Sequence, residues 1–270
     1  MPLTDLIRYF NTADSAGDSM LYPEGERAAA WHRGLRLSSL FQPIVDLRQE
    51  RIVGHRATLA ARREDGTPVG SEEAYALCES AEAVVHFDRL CRTLHALNFL
   101  AQRRYAGGYL QLPIHPRHLL AVQSQHGLVY EAILKRCGLA PEDIVLDIDA
   151  SRLGDNRHLA TALGNYRRRG YRLALRELAP GGGIDALLTL QPEVVSLAEP
   201  VSGLLQAARV AGVAVELAGI DTAPDCERAR AAGIRFGRGK LFGDAAADCR
   251  ATHSERGVAY NSSSHSGAPT

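Results

Sequence analysis

The chain has 270 residues, 46% of them hydrophobic, and balances 31 Lys and Arg against 31 Asp and Glu for a formal net charge of zero. That length and composition describe a globular protein of one large or two small domains with a substantial core. A neutral balance gives no overall attraction to nucleic acid or to an anionic membrane, so nucleic acid is not an expected partner and only local patches remain to be considered. No run approaches about 18 uninterrupted apolar residues, and Met1-Pro2-Leu3-Thr4-Asp5 lacks the basic and apolar pattern of a signal peptide. A cytoplasmic protein with no membrane segment is expected. Five cysteines, Cys78, Cys91, Cys137, Cys226 and Cys249, are scattered, odd in number and free of any CxxC pair, which fits reduced thiols better than disulfides or zinc.

Taken in chain order, residues 1–23 read as a short N-terminal extension with one helix over Leu3 to Asn11, and a barrel domain is expected over residues 24–248. Two strands follow, Leu40-Phe41-Gln42-Pro43-Ile44-Val45-Asp46-Leu47 and Val53-Gly54-His55-Arg56-Ala57-Thr58-Leu59, joined by a short polar turn. Further short apolar runs recur at residues 109–114, 144–149, 172–178, 193–198 and 214–220, each followed by a helical stretch. A last short run lies near Ile234 to Phe236. This βαβ rhythm fits a doubly wound sheet or a closed barrel, and a count of about eight strands favours the α/β class with a TIM-like (β/α)8 barrel. Residues 249–270 turn to Ser, His and Gly and are expected to be a disordered tail. There is no internal repeat.

Several candidate constellations are more simply structural. His115-Pro116-Arg117-His118 holds a histidine pair without an obvious third ligand, so solvent-facing or capping roles are expected rather than zinc. Arg167-Arg168-Arg169 with Arg172 is a basic cluster suited to nucleic acid or an acidic protein surface, but it ends a helix before Gly170, where cations complement the helix dipole. The run Ala179-Pro180-Gly181-Gly182-Gly183 lacks the GxxxxGK[ST] pattern of a phosphate cradle and reads as a barrel loop. No Ser-His-Asp or Cys-His arrangement can be assembled, and Cys78 and Cys91 read as packed thiols on helices.

The opening Gln42-Pro43-Ile44-Val45-Asp46 resembles the entry to an EAL domain, the cyclic di-GMP phosphodiesterase family. Phe87-Asp88-Arg89, the turn around Leu112 to Pro116, Gly170-Tyr171-Arg172-Leu173-Ala174-Leu175, Gln191-Pro192 and Gly239-Lys240-Leu241-Phe242-Gly243 extend the likeness from Leu40 to Gly243. The resemblance implies a barrel with its functional groups at the C-terminal strand ends, and hydrolysis by two divalent metals held by oxygen ligands. It also implies that most of those ligands have been lost. The signature Glu-Ala-Leu corresponds to Arg56-Ala57-Thr58, the Asn ligand to Pro113, and the adjacent aspartates to Arg176-Glu177. The water-holding Lys corresponds to Ser196, the Asp two residues on to Ala198, and the first Glu of the later strand end to Ala218. Asp147 and Asp221 keep carboxylates, and the late Gln corresponds to Arg238. On the ligand side Gln42 remains, while Ala60, Leu178 and Ala150 replace the family's Arg, Phe and Glu.

An arginine that faces such a site opposes the metal directly. At an effective dielectric of about 20, a unit charge about 4 Å away repels a divalent ion by roughly 8 kcal/mol. The expected protein is therefore a catalytically inactive, degenerate EAL-type module with no bound metal or other cofactor, regulatory in role, with Asp147, Glu177 and Asp221 paired to Arg56, Arg176 and Arg238. Its expected partner is another protein. Two alternatives stay open: a metal-independent receptor for cyclic di-GMP or another phosphate ligand, using Gln42, Arg56, Arg176 and Arg238 as fixed contacts, and a weak phosphodiesterase. A homodimer is also left open.

Overall fold

The computed structural model describes residues 2–13, 19–102, 108–122, 127–152, 157–178 and 188–250. Among these residues eleven strands form one sheet: β1 (Ser19–Glu24), β2 (Arg27–His32), β3 (Leu35–Asp46), β4 (Arg51–Arg63), β5 (Pro68–Val69), β6 (Tyr109–Pro113), β7 (Ile144–Asp149), β8 (Arg172–Arg176), β9 (Val194–Leu197), β10 (Ala214–Leu217) and β11 (Phe236–Gly237). The helices are α1 (Leu3–Ala13), α2 (Ser71–Ala76), α3 (Ala81–Ala101), α4 (Pro116–Ala121), α5 (Leu128–Cys137), α6 (Arg157–Arg168), α7 (Ser202–Val210) and α8 (Ala223–Ala231). The sheet closes because β3 pairs with both β4 and β11. Eight strands make the barrel: seven run parallel, and β3 alone is antiparallel to its neighbours.

Period-two alternation sorts each barrel strand into an outer and an inner row. In β7 the outward Ile144, Leu146 and Ile148 join the shell packed under the helices, as do Leu173 and Leu175 of β8 and Val195 and Leu197 of β9. The inward Val145, Ala174 and Val194 join Ile44 and Phe236 in a small apolar plug inside the barrel. One step further along each strand the inward residue is polar, which sets the functional face at the C-terminal strand ends. Gly54 allows the plug to form, since a Cβ there would meet the backbone oxygen of Tyr109 at 2.7 Å and its ring at 2.8 Å.

The expected N-terminal helix is present and is followed by a hairpin, β1 and β2, that extends the sheet beyond β3. Leu6, Ile7 and Phe10 of α1 pack with Leu21, Ala30, Leu37, Phe87 and Leu94 in a second core outside the barrel. Asn11 accepts from the Leu21 N–H at 2.9 Å and donates to the Leu21 carbonyl at 2.7 Å. At the other terminus Ala246 bridges to Phe41, the Cys249 N–H donates to Gln102, and the Arg250 N–H donates to His55. The chain is therefore held as far as Arg250, two residues into the stretch expected to be disordered; the rest of that stretch, and the loop at 179–183, lie outside the described residues.

α3 carries a buried polar stripe, Asp88, Arg92, His95 and Asn98, at helical spacing between the barrel and the added hairpin. Asp88 accepts from Tyr75 Oη, Arg92 Nε and the His115 N–H at 2.8, 2.7 and 3.1 Å. Asn98 stands in for a missing strand partner: it accepts from the Ala28 N–H at 2.8 Å and donates to the Ala28 carbonyl at 2.9 Å. Asn98→Ala is expected to lower unfolding stability by about 2–3 kcal/mol, because it strands a buried N–H and C=O. Chemical denaturation of the variant checks this, and a loss below the usual scatter of surface substitutions would refute it.

Candidate functional site

The C-terminal mouth of the barrel gathers Gln42 from β3, Arg56 from β4, Pro113 from β6, Asp147 and Asp149 from β7, Arg176 from β8, Ser196 from β9, Glu216 from β10 and Arg238 just after β11. Sheet register makes neighbours of Gln42 and Arg56, of Pro113 and Asp147, of Asp149 and Arg176, of Arg176 and Ser196, and of Ser196 and Glu216. The two innermost carboxylates, Asp147 and Glu216, have no side-chain exposure.

Each is held by guanidinium. Arg56 Nε donates to Asp147 Oδ2 at 2.8 Å, and Arg176 Nε lies 3.6 Å from Asp147 Oδ1. Arg176 also approaches Asp149 at 3.5 Å and Glu177 at 3.7 Å. On the opposite side Arg238 Nε donates to Glu216 Oε1 at 2.8 Å, and Ser196 Oγ donates to the same oxygen at 2.9 Å. Arg238 Nη1 reaches Gln42 Oε1 at 3.5 Å. Burial opposes the charge on Arg56, but Asp147 and the more distant Glu216 outweigh it and hold the guanidinium pKa above its ordinary value. Among Arg56, Arg176, Arg238, Asp147, Asp149 and Glu216 the charges cancel.

The structure brings together Gln42, Arg56, Asp147, Arg176, Glu177, Ser196 and Arg238, and it corrects one expected pairing. Arg238 pairs with Glu216 rather than with Asp221, which is exposed at the rim, accepts from the Lys240 N–H at 2.9 Å and lies 3.8 Å from Lys240 Nζ. Glu177 sits in the left-handed region, with φ of 57°, and is largely exposed. Ala198 and Ala218 lie just beyond the ends of β9 and β10 and contribute no polar side chain, and Pro113 ends β6. Glu216 was hidden from motif reading because it lies two residues before Ala218. Alternation alone reveals it, in phase with the inward Ala214 and Ala218. Gln111 of β6 faces the same interior, and its buried amide has no hydrogen-bond partner among the described residues.

The histidine pair is buried rather than solvent-facing. His115 caps α4, accepting from the Arg117 N–H at 3.2 Å, and stacks on Tyr75 with ring centroids 3.9 Å apart. His118 Nδ1 lies 3.3 Å from Asp88. Cys91 is buried on α3, whereas Cys78 is buried in the turn between α2 and α3 rather than on a helix. Beside the mouth, a cavity of about 160 Å³ is lined by Arg56, Arg176, His115, Tyr75 and His95 among others. No group of three or more His, Cys, Asp or Glu side chains able to hold a metal occurs among the described residues.

Two predictions follow from this wiring. Arg238→Gln leaves Glu216 buried without a counterion and is expected to cost about 3–5 kcal/mol, whereas Arg238→Gln combined with Glu216→Gln removes both charges and should cost markedly less. A double-mutant cycle by denaturation measures the difference, and additive losses would refute the pairing. Second, burial, aided by Arg56, lowers the His95 pKa to about 4, and burial lowers that of His55 to about 4. Both are neutral in the folded chain but protonate near 6.5 once unfolded. The unfolded state then binds more protons as pH falls, so stability is lost from about pH 6.5 down towards 4. Melting temperature against pH reads this, and His95→Gln should flatten the slope.

Comparison with protein families matches the EAL domain to residues 27–245. Comparison with curated proteins finds no match. Among solved structures, the standalone versatile EAL protein from Vibrio cholerae O395 in its c-di-GMP-bound form is 18% identical, with a TM-score of 0.65 over 81% of this chain and 96% of that one. Klebsiella pneumoniae BlrP1, in a manganese and cyclic di-GMP complex, is 18% identical, with a TM-score of 0.66 over 91% of this chain and 67% of that one. The EAL enzyme Bd1971, with cAMP and cyclic di-GMP bound, is 17% identical, with a TM-score of 0.63 over 92% and 67%. At these identities the likeness is one of fold.

Proposed function

The chain belongs to the EAL domain family, and we propose that within it the protein is a catalytically inactive member acting as a regulatory, protein-binding module. The observation that carries this reading is the state of Asp147. It is fully buried, with one oxygen taken by Arg56 at 2.8 Å and the other facing Arg176 at 3.6 Å. A divalent ion at Asp147 would have to displace guanidinium groups fixed to the barrel wall, and at about 4 Å each would repel it by roughly 8 kcal/mol at an effective dielectric of about 20. Pro113, Ser196, Ala198 and Ala218 provide no carboxylate or amide to offset this. Glu216 adds an acid, but Arg238 and Ser196 occupy its Oε1.

A second reading, a metal-independent receptor for cyclic di-GMP or another phosphate ligand, is favoured by one observation: Arg56 and Arg176 both line the cavity beside the mouth. The cancelled charge of the mouth weighs against it, because a phosphate would have to compete with Asp147, Asp149 and Glu216 for those cations.

The test incubates the purified chain with cyclic di-GMP, with and without Mg²⁺ or Mn²⁺, and follows heat by calorimetry and products by chromatography. The proposal expects neither binding nor a linear dinucleotide product. Metal-free binding without cleavage would replace it with the receptor reading, and metal-dependent cleavage would overturn both. Arg56→Glu alone is expected to leave hydrolysis absent, because Arg176 and Arg238 still occupy the mouth; robust turnover from that single change would refute this account of the site.

A further inference from the structure

Arginines are also gathered at the end of the barrel opposite the mouth. At the barrel floor, where the parallel strands begin, six arginines occur together: Arg48 and Arg51 around the β3–β4 turn, Arg172 at the start of β8, Arg209 near the end of α7, Arg230 near the end of α8, and Arg235 just before β11. The backbone ties these segments to one another. The Leu47 N–H donates to the Arg235 carbonyl at 2.8 Å, and Arg230 Nη2 donates to Glu50 at 2.6 Å. Arg209 reaches the turn at Gly233, where an added Cβ would lie 3.3 Å from its Nη2.

Helix dipoles account for only part of this. Arg209 and Arg230 sit at helix C-termini, where a cation is favoured locally. Arg48, Arg51, Arg172 and Arg235 lie in a hairpin turn and at strand starts, where there is no such dipole to complement. Floor acids offset some of the charge: Glu50 takes Arg230, buried Asp46 lies 3.4 Å from Arg235, and Glu193 accepts from the Leu173 N–H. Arg48, Arg51, Arg172 and Arg209 have no ion-pair partner among the described residues. Rings brace two of the guanidiniums, with Arg172 4.8 Å from the Tyr109 centroid and Arg235 4.8 Å from that of Phe236. Beside Arg209, Val210 is 79% exposed, the most exposed of the large hydrophobic residues described.

We propose that the barrel floor docks an acidic segment of a partner protein, whose Asp and Glu carboxylates pair with Arg51, Arg172, Arg209 and Arg235 while an apolar side chain rests on Val210. This rests on the reading of the chain as a protein-binding module and names the chemistry of the partner and the face it uses, opposite the mouth. A protein is favoured over a nucleic acid because the arginines are interleaved with the acids Asp46, Glu50 and Glu193, which would repel phosphates, and stand beside an exposed aliphatic residue, the mixed composition of protein interfaces. The described floor also lacks an exposed aromatic platform for stacking bases.

The test uses the full chain and a fluorescent synthetic peptide rich in Glu and Leu, with mixed-sequence duplex DNA and phosphatidylserine vesicles as the other probes. The peptide is expected to bind, more weakly as salt rises, and Arg51→Glu with Arg209→Glu, both on exposed side chains not ion-paired to a buried acid, should weaken it about tenfold or more without a matching loss of melting temperature. Arg62→Glu, a single such charge reversal on an exposed site of β4 at the opposite end of the barrel, should have little effect, and less than either Arg51→Glu or Arg209→Glu alone. Absence of peptide binding, an equal loss with Arg62→Glu, or tighter binding of DNA or vesicles than of peptide would overturn the proposal. The nucleotide assay of the mouth is a separate readout, so hydrolysis of cyclic di-GMP would sink the functional reading while leaving the floor result to stand or fall by itself.

Discussion

Two carboxylates with no access to water dictate the interior of this barrel. A buried ionised acid is tolerated only with a counterion and hydrogen bonds in place, and Asp147 and Glu216 obtain theirs from different strands across the mouth. Arg56 arrives from β4, Arg176 from β8, and Arg238 from the segment after β11. The same contacts tie the wall of the barrel together above its apolar plug. Removing any one cation leaves an uncompensated charge, so the mouth behaves as one unit rather than as a set of independent positions.

This wiring gives the mouth its own fixed cations. Guanidinium nitrogens take one oxygen of each buried acid, Oδ2 of Asp147 and Oε1 of Glu216, while Asp147 Oδ1 and Glu216 Oε2 make no hydrogen bond among the described residues. Arg56 and Arg238 are each coupled to a buried acid. Arginine at 56 is stable because Asp147 remains; arginine at 238 is stable because Glu216 is present. Arg56 with Asp147 and Arg238 with Glu216 thus form two compensated pairs across the mouth.

Much of the architecture was legible in the residues. Alternation in Ile144-Val145-Leu146-Asp147-Ile148-Asp149 and the regular recurrence of such runs specify parallel strands with one wet end. The hairpin of β1 and β2 was less visible, because Ala28-Ala29-Ala30 carries no strand preference and Pro23 reads as a break, although proline is accommodated on an edge strand. The partner of Arg238 was illegible for a different reason. Asp221 is closer along the chain to the motif that points to it, but it lies beyond the strand end, and only the inward phase of β10 places Glu216 within reach. Buried histidines in a Pro-containing turn were likewise hidden, since their burial depends on α3 and α2 packing over them.

Asn11 has a consequence that reaches beyond its helix. A strand at the margin of a sheet exposes a row of donors and acceptors that another chain can copy onto, a route to unwanted polymerisation. β1 is such a strand, and its central residue, Leu21, has both backbone groups taken by one side-chain amide, while Pro23 withholds a donor further along. The first helix thereby acts as a stopper for the sheet. It closes the β1 margin of the sheet to the addition of a further strand at Leu21.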